Sequence, residues 1–409
     1  EDTPLLAGID KPPRKLSSRL KTFANVFIAI VGAGVLGLPY TFMRTGWVAS
    51  LFMVFFVAAL TYHGMMLLVA TRRKIQDSPA CSFHNIASFG DLGFAVCGSI
   101  GRFAVDFMVL LSQAGFCVGY LIFIGNTLGN LSAPNPNPKI WGVSAKAVYI
   151  WSCFPFQLGL NAIPSLTLLA PLSIFADALD LGAMGVVMIE DLFIFLKRTP
   201  SVEAFGTVST FFYGLGVAVY SFEGIGMVLP LESEMKDRSK FGKILAITMS
   251  FIAAMFGGFG ALGYFAYGDN TKEIITANMG TGLLSTLVQL GLCINLFFTL
   301  PLMMNPVYEV CERRFRSGRY SIWMRWMLVL IVVLVALFVP SFADFLSLVG
   351  SSTCCVLGFV LPALFHYLTF KDEMNLKQAT ADVSVIVLGL SLGVSGTWYS
   401  LLEIFSVKV

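Results

Sequence analysis

The chain has 409 residues, of which 56% are hydrophobic and 12% charged, with a mean hydropathy of +0.79. A soluble domain carries about twice that charged share, and apolar runs of about 20 residues recur too often for a single anchor. These properties exclude a soluble globular protein, and a barrel would show alternating segments of about 10 residues instead.

The first twenty residues are polar and basic, with no cleavable signal peptide; the first residue is not Met, so a further N-terminal stretch is expected. Residues 1–21 read as a cytoplasmic tail. Within it Glu1 stands ahead of the pair Leu5-Leu6, the spacing of an acidic dileucine sorting signal read by clathrin adaptors. Windows of about 20 apolar residues predict eleven spans, roughly 23–44, 47–70, 101–130, 146–163, 169–196, 207–231, 242–267, 282–310, 322–339, 343–369 and 380–405. Between the second and third, Ser82–Ser99 is expected as a short helix along the membrane surface. Residues 133–139 alternate with proline and are expected as a loop. Residues 22–409 then form a single transmembrane domain.

The basic residues support that count. With the N-terminus cytoplasmic, eleven spans put 20 of the 27 Lys and Arg on the cytoplasmic side and 7 on the far side, as the positive-inside rule requires. The eight cysteines and three histidines have no metal-ligand spacing. No GxxxxGK[ST] and no GxGxxG opening a βαβ unit is present, which argues against ATP-driven pumping. Nothing points to nucleic acid, a cofactor or a metal, and no nucleophile–base set points to an enzyme.

Two apolar stretches are interrupted alike. Gly32-Ala-Gly-Val-Leu-Gly-Leu-Pro39 aligns with Glu223-Gly-Ile-Gly-Met-Val-Leu-Pro230. A helix that breaks in the bilayer must have its freed backbone groups satisfied by protein or by a polar ligand. Matched breaks in two halves are a pointer to a transporter's binding site. Five spans per unit force opposite orientation, so the chain reads as an inverted repeat: one unit over about 22–200, a second over about 205–370, and an extra helix over about 380–405. At the first break, Val31, Gly32, Ala33 and Gly34 offer amides at the positive end of a half-helix, a seat for a carboxylate; tight helix packing is the plain alternative. At the second, Tyr220, Ser221, Phe222, Glu223 and Gly224 offer carbonyls suited to an ammonium group. Glu223 is the candidate proton carrier, since burial favours the protonated form of a carboxyl; a structural acid bonded to the first break is its alternative.

Tyr120 and Gln113 on span three, Asn295 and Thr299 on span eight, and Ser351, Ser352 and Thr353 on span ten are further pocket candidates, each equally able to bond a neighbouring helix. Asp106 is expected to pair with Arg102. Asp177 and Asp180 suit a water path or a cytoplasmic vestibule. Glu190, Asp191 and Asp344 are expected at the interface, and His63 as a packed residue rather than a proton shuttle.

The run Thr22–Tyr40, together with Ser88-Phe-Gly-Asp-Leu-Gly93, Phe222-Glu-Gly-Ile-Gly226 and Phe265-Ala-Tyr-Gly268, resembles the amino acid/auxin permease family. Pro155-Phe-Gln-Leu-Gly-Leu-Asn161 and Ala343–Ser352 resemble its plant vacuolar amino-acid transporter branch most closely. The resemblance runs from about Lys21 to the end. It implies an eleven-span, LeuT-like all-α membrane fold and a site where spans one and six unwind, at Val31–Gly34 and Tyr220–Gly224. It also implies proton-linked export of neutral amino acids from vacuole to cytosol. His63 matches no family motif. The expected function is a proton-coupled symporter working by alternating access in the vacuolar or a lysosome-like membrane. An amino-acid sensor with little flux, or a carrier of auxin or 4-aminobutyrate, is the alternative.

Overall fold

In a computed structural model, residues 17–77, 86–132, 139–140, 142–163, 170–197, 200–280 and 282–405 are described, with backbone alone at 170–177. Glu1, Leu5 and Leu6, His84, most of the proline-alternating loop and the Asp177 side chain lie outside that description.

Each of the eleven expected segments falls on helix. Span one is split into α1 (Arg19–Ile30) and α2 (Leu38–Thr45), joined by a 3-10 turn over Ala33–Gly37 and bent by 52°. Ser18 caps α1 by accepting from the Lys21 amide, and Pro39 sits in the first turn of α2, where its missing N–H costs nothing. α3 (Trp47–Asp77) is the second span. α4 (Phe89–Ser132) includes a turn at Gly98, whose φ of 63° lies in the left-handed region open to glycine. Its first part, 89–97, is the expected surface helix, and the remainder is span three.

α5 (Ala145–Asn161) and α6 (Ala170–Lys197) are spans four and five. Span six is again split, into α7 (Val208–Ser221) and α8 (Val228–Glu234), with a 3-10 turn over Ile225–Met227 between them. Thr207 caps α7 through the Thr210 amide. α9 (Phe241–Tyr267), α10 (Leu283–Phe315) and α11 (Ile322–Phe338) are spans seven to nine. Span ten comprises α12 (Phe342–Val349) and α13 (Leu361–Phe370), with π-helical segments at Gly350–Cys354 and Val356–Val360 between them. α14 (Leu376–Phe405) is the last. Among the described residues seven helices are long and apolar enough to cross a membrane, and eight if the bent pair counts as one.

Two groups of helices meet around the broken spans. α4 packs on α5, α10 and α11, and α10 also packs on α6. α3 and α9 pack on each other, α9 against both half-helices of span one and α3 against the second of them. α12, the π-helical stretch and α14 line the other flank of α7. On the side richer in basic residues, here called the basic side, polar ties fix both groups. Asp106 meets Arg102 at 3.8 Å as expected, but its shorter contact, 2.6 Å, is to Arg313 of α10. Glu312 holds Arg325 at 2.9 Å, and Tyr308 donates to Asn161 at 2.7 Å. Buried Glu232, at the end of α8, pairs with buried Arg72 and, at 2.8 Å, with Arg73, while Arg72 also donates to the Leu229 carbonyl. Ser17 joins this end by bonding the Glu234 carbonyl. Breaking one partner of a buried pair costs about 3–5 kcal/mol, so this end of span six is firmly tied to span two.

Candidate functional site

The two breaks cross each other. A Cβ on Gly34 would lie 2.9 Å from both the Ser221 Oγ and Tyr220 Cδ1 and 3.0 Å from the Ser221 Cα. A Cβ on Gly224 would lie 2.7 Å from Ile30 Cγ1 and 3.3 Å from the Ala29 carbonyl oxygen. Only glycine permits these approaches, so two glycines set the distance between the broken spans. Gly32 differs. Its φ of −156° is extended backbone open to any residue, and a Cβ there would meet no atom within 4 Å. Neither packing nor conformation accounts for glycine at that position.

The backbone at the crossing is left partly unpaired. Val31 donates to Phe27 and Val35 to Gly32, but among the described residues the amides of Gly32, Ala33 and Gly34 bond no carbonyl. On the other side Phe222 donates to Ala218 and Glu223 to Tyr220, while the carbonyls of Val219, Ser221 and Phe222 accept no backbone hydrogen bond there. Donors at the start of one half-helix thus lie beside acceptors at the end of another, and the helix dipoles reinforce both.

Side chains finish the site. Tyr220 is buried, and among the described residues its hydroxyl has no hydrogen-bond partner. Its ring meets Phe116 edge-on at 4.8 Å, and a Cβ on Gly119 would lie 3.2 Å from its hydroxyl. Tyr120, also buried, is within electrostatic reach of that hydroxyl. Ser221 returns its hydroxyl to the Val217 carbonyl at 2.9 Å, and Phe222 stacks at a tilt on Phe256 at 5.0 Å. Glu223 is half-buried, with the Ile225 amide directed at its carboxyl and with Cys354 and Cys355 of the π-helical stretch in electrostatic range. Gly350 of that stretch faces the break too, since a Cβ there would come within 2.9 Å of the Tyr220 nitrogen. π-helical turns recur at functional sites because they misalign backbone groups that a regular helix pairs. No residue periodicity in the chain signals such a turn.

The other candidates fall elsewhere. Thr299 donates to the carbonyl of Asn295 at 2.9 Å and to its side-chain oxygen at 3.0 Å, along their own helix; among the described residues neither bonds to a break. Ser351, Ser352 and Thr353 return their hydroxyls to Ser347, Leu348 and Val349. Gln113 is half-buried. His63 is exposed on the outer surface of α3, not packed. Asp191 is 1% exposed, because α6 lies against α9.

Beside the first break, Phe27, Ile28 and Val31 of span one and Asp180 and Leu181 of α6 line a small void of about 10 Å³. The far side is latched. Tyr213 of α7 donates to Asp344 of α12 at 2.8 Å, and Arg44 bonds Glu403 of α14 at 2.6 Å while lying over the Tyr213 ring at 4.6 Å. Glu273 accepts from the Phe342 amide at the start of α12. Its carboxyl is pushed above its ordinary range, first by burial and then by Asp344.

Comparison with known proteins fits this geometry. The family described as transmembrane amino acid transporter protein matches residues 15–402. The chain is 66% identical to "Amino acid transporter AVT3B" of Arabidopsis thaliana over 99% of its own length and 97% of that protein. It is 35% identical to "Amino acid transporter ANT1" of the same organism, over 97% and 96%. It is 25% identical to "Vacuolar amino acid transporter 3" of Saccharomyces cerevisiae, over 94% of this chain and 56% of that protein. The crystal structure of MhsT in complex with L-phenylalanine has the same fold, with a TM-score of 0.51 at 15% identity over 96% of this chain and 98% of that one.

Proposed function

The chain belongs to the transmembrane amino acid transporter family, and from that premise we propose that it is a proton-coupled carrier exporting small neutral amino acids from vacuole to cytosol. The observation that carries the reading is the crossing itself: among the described residues, amides at Gly32–Gly34 that bond no carbonyl lie beside carbonyls of Val219, Ser221 and Phe222 that accept no backbone hydrogen bond. A zwitterion satisfies both sets at once. Its carboxylate accepts from the amides, its ammonium donates to the carbonyls, and its side chain lies toward Phe116 and Tyr220. Backbone seats of this kind recognise what amino acids share, so the wall beyond them sets the choice of side chain. The Tyr220 and Phe116 rings, in edge-on contact at 4.8 Å, form a bulky wall that suits small neutral substrates better than auxin.

Glu223 follows the second break directly and is the proton carrier in this reading. With its proton on, the acid is neutral and the ammonium is held by carbonyls; with it off, the charge competes for the ammonium and draws in water. Binding of proton and substrate is then linked. Spans one and six rock against spans three, four, eight and nine, with the Tyr213–Asp344 and Arg44–Glu403 contacts closing the far side. The yeast relative's vacuolar name supports the membrane, and the excess of Lys and Arg on the N-terminal side supports a cytoplasmic N-terminus. The pair Leu5-Leu6 behind Glu1 would then be available to a clathrin adaptor.

The test is uptake of labelled alanine into proteoliposomes with and without an imposed pH gradient. Uptake that rises with the gradient and collapses with a protonophore supports the proposal. Alanine binding without flux would replace it with a sensor.

A further inference from the structure

Asp191 lies near the far-side end of α6, 1% exposed, and neither carboxyl oxygen has a hydrogen-bond partner among the described residues. The hydroxyl of Tyr267, the last residue of α9, is likewise buried and unpartnered. The carboxyl and the hydroxyl face each other and interact. Glu190, the neighbour on α6, is the other charged group that acts on Asp191, and it has the same sign. α10, also packed on α6, presents only Cys293 as a titratable group in its first 25 residues. From α9 the facing group is Tyr267; the acids beyond it, Asp269 and Glu203, are exposed.

Among the described residues no cation faces an ionised carboxylate there to repay its desolvation, which costs several kcal/mol even after relaxation. Acids so placed in membrane proteins neutralise by taking a proton or serve an ion pathway. The position adds a second constraint. α6 ends the first set of five spans and α9 belongs to the second, so Asp191 sits on a seam between the two halves. While the seam is shut, water cannot solvate the charge; when it opens, water can.

We infer that Asp191, faced by Tyr267, is a second proton-binding site, occupied while the far-side seam between α6 and α9 is closed and released when it opens. It is separate from Glu223, which lies at the crossing. Its link to flux rests on the transport reading above, but its proton can be read without transport. In an acidic compartment such a site favours the closed seam; proton loss favours opening.

The experiment is infrared difference spectroscopy of the full chain in lipid nanodiscs, titrated with acid and base. The protonated-carboxyl band assigned to Asp191 should vanish in Asp191→Asn, persist in Glu223→Gln and shift in Tyr267→Phe. Alanine exchange in proteoliposomes is the second readout. Against far-side pH, the unmodified protein should change by up to about tenfold per unit on its steep limb, the limit for one proton, and Asp191→Asn by less than about twofold over the same range. If Asp191→Asn fails to fold, the Tyr267→Phe shift still reports the site. A band set unchanged by both substitutions overturns the site. A lost band with an unflattened exchange profile overturns its link to the seam. A protein with no exchange at all but with the Asp191 band refutes the transport reading and leaves the proton site standing.

Discussion

Replacing Gly34 with alanine tests whether the two breaks are held together by their glycines. The added methyl carbon would sit 2.9 Å from Ser221 Oγ and Tyr220 Cδ1, about 0.5 Å inside the ordinary contact of 3.4 Å, and 3.0 Å from the Ser221 Cα, which cannot turn away. The Ser221 hydroxyl is already committed to Val217, and Tyr220 is fixed against Phe116. Relief must therefore come from separating the backbones of spans one and six. Overpacking of this kind costs about 1–3 kcal/mol, which at 1.4 kcal/mol per decade is roughly a 5- to 150-fold bias against the crossed arrangement. Alanine uptake and thermal unfolding, measured together in Gly34→Ala, should both fall. Adding Ser221→Ala should restore part of the loss, because one of the three clashes is removed, and the double-mutant cycle should show coupling. Wild-type uptake and melting in Gly34→Ala would refute the crossing as the organising contact.

Gly32→Ala should behave differently, because no atom lies within 4 Å of the new methyl: melting should move by less than about 0.5 kcal/mol, while KM for alanine rises roughly 10-fold or more as the methyl enters the ligand's space; an unchanged KM would remove Gly32 from the site. Tyr213→Phe deletes the 2.8 Å bond to Asp344, a loss of about 1–3 kcal/mol for a half-buried acceptor, so hydrogen exchange in the first turns of α7 should accelerate; unchanged exchange would show that this contact does not latch the far side. Glu273 has a raised pKa, so the folded protein holds a proton there that the unfolded chain has released above about pH 4.5. Its contribution to stability is full below that pH and is lost as pH rises through the folded value. Glu273→Gln should therefore flatten the decline of melting temperature above pH 4.5, and an unaltered slope would contradict the shift.

The helices were legible because twenty-residue apolar windows and the uneven spread of Lys and Arg are both long-range patterns. The breaks were legible because glycine clusters ahead of Pro39 and Pro230 conflict with the helix around them. Legibility ended where the determinant is pairwise. Gly32 and Gly34 look alike in sequence, yet one faces open space and the other abuts Tyr220 and Ser221. Asp191 and Asp344 both lie at span ends, yet no pattern in the residues says that the packing of α6 on α9 buries the first and that Tyr213 engages the second. Asn295 and Thr299 have the polarity of pocket residues, and their four-residue spacing lets each satisfy the other. The π-helical turns at Gly350–Cys354 arise from hydrogen-bond register, which no residue periodicity records.

The most direct test of the central claim compares Glu223→Gln with the unmodified protein in two proteoliposome assays, gradient-driven alanine uptake and alanine–alanine exchange. The substitution should abolish the response to the pH gradient while exchange persists, because the crossed backbones still hold the zwitterion. Full gradient-driven uptake in Glu223→Gln would contradict it.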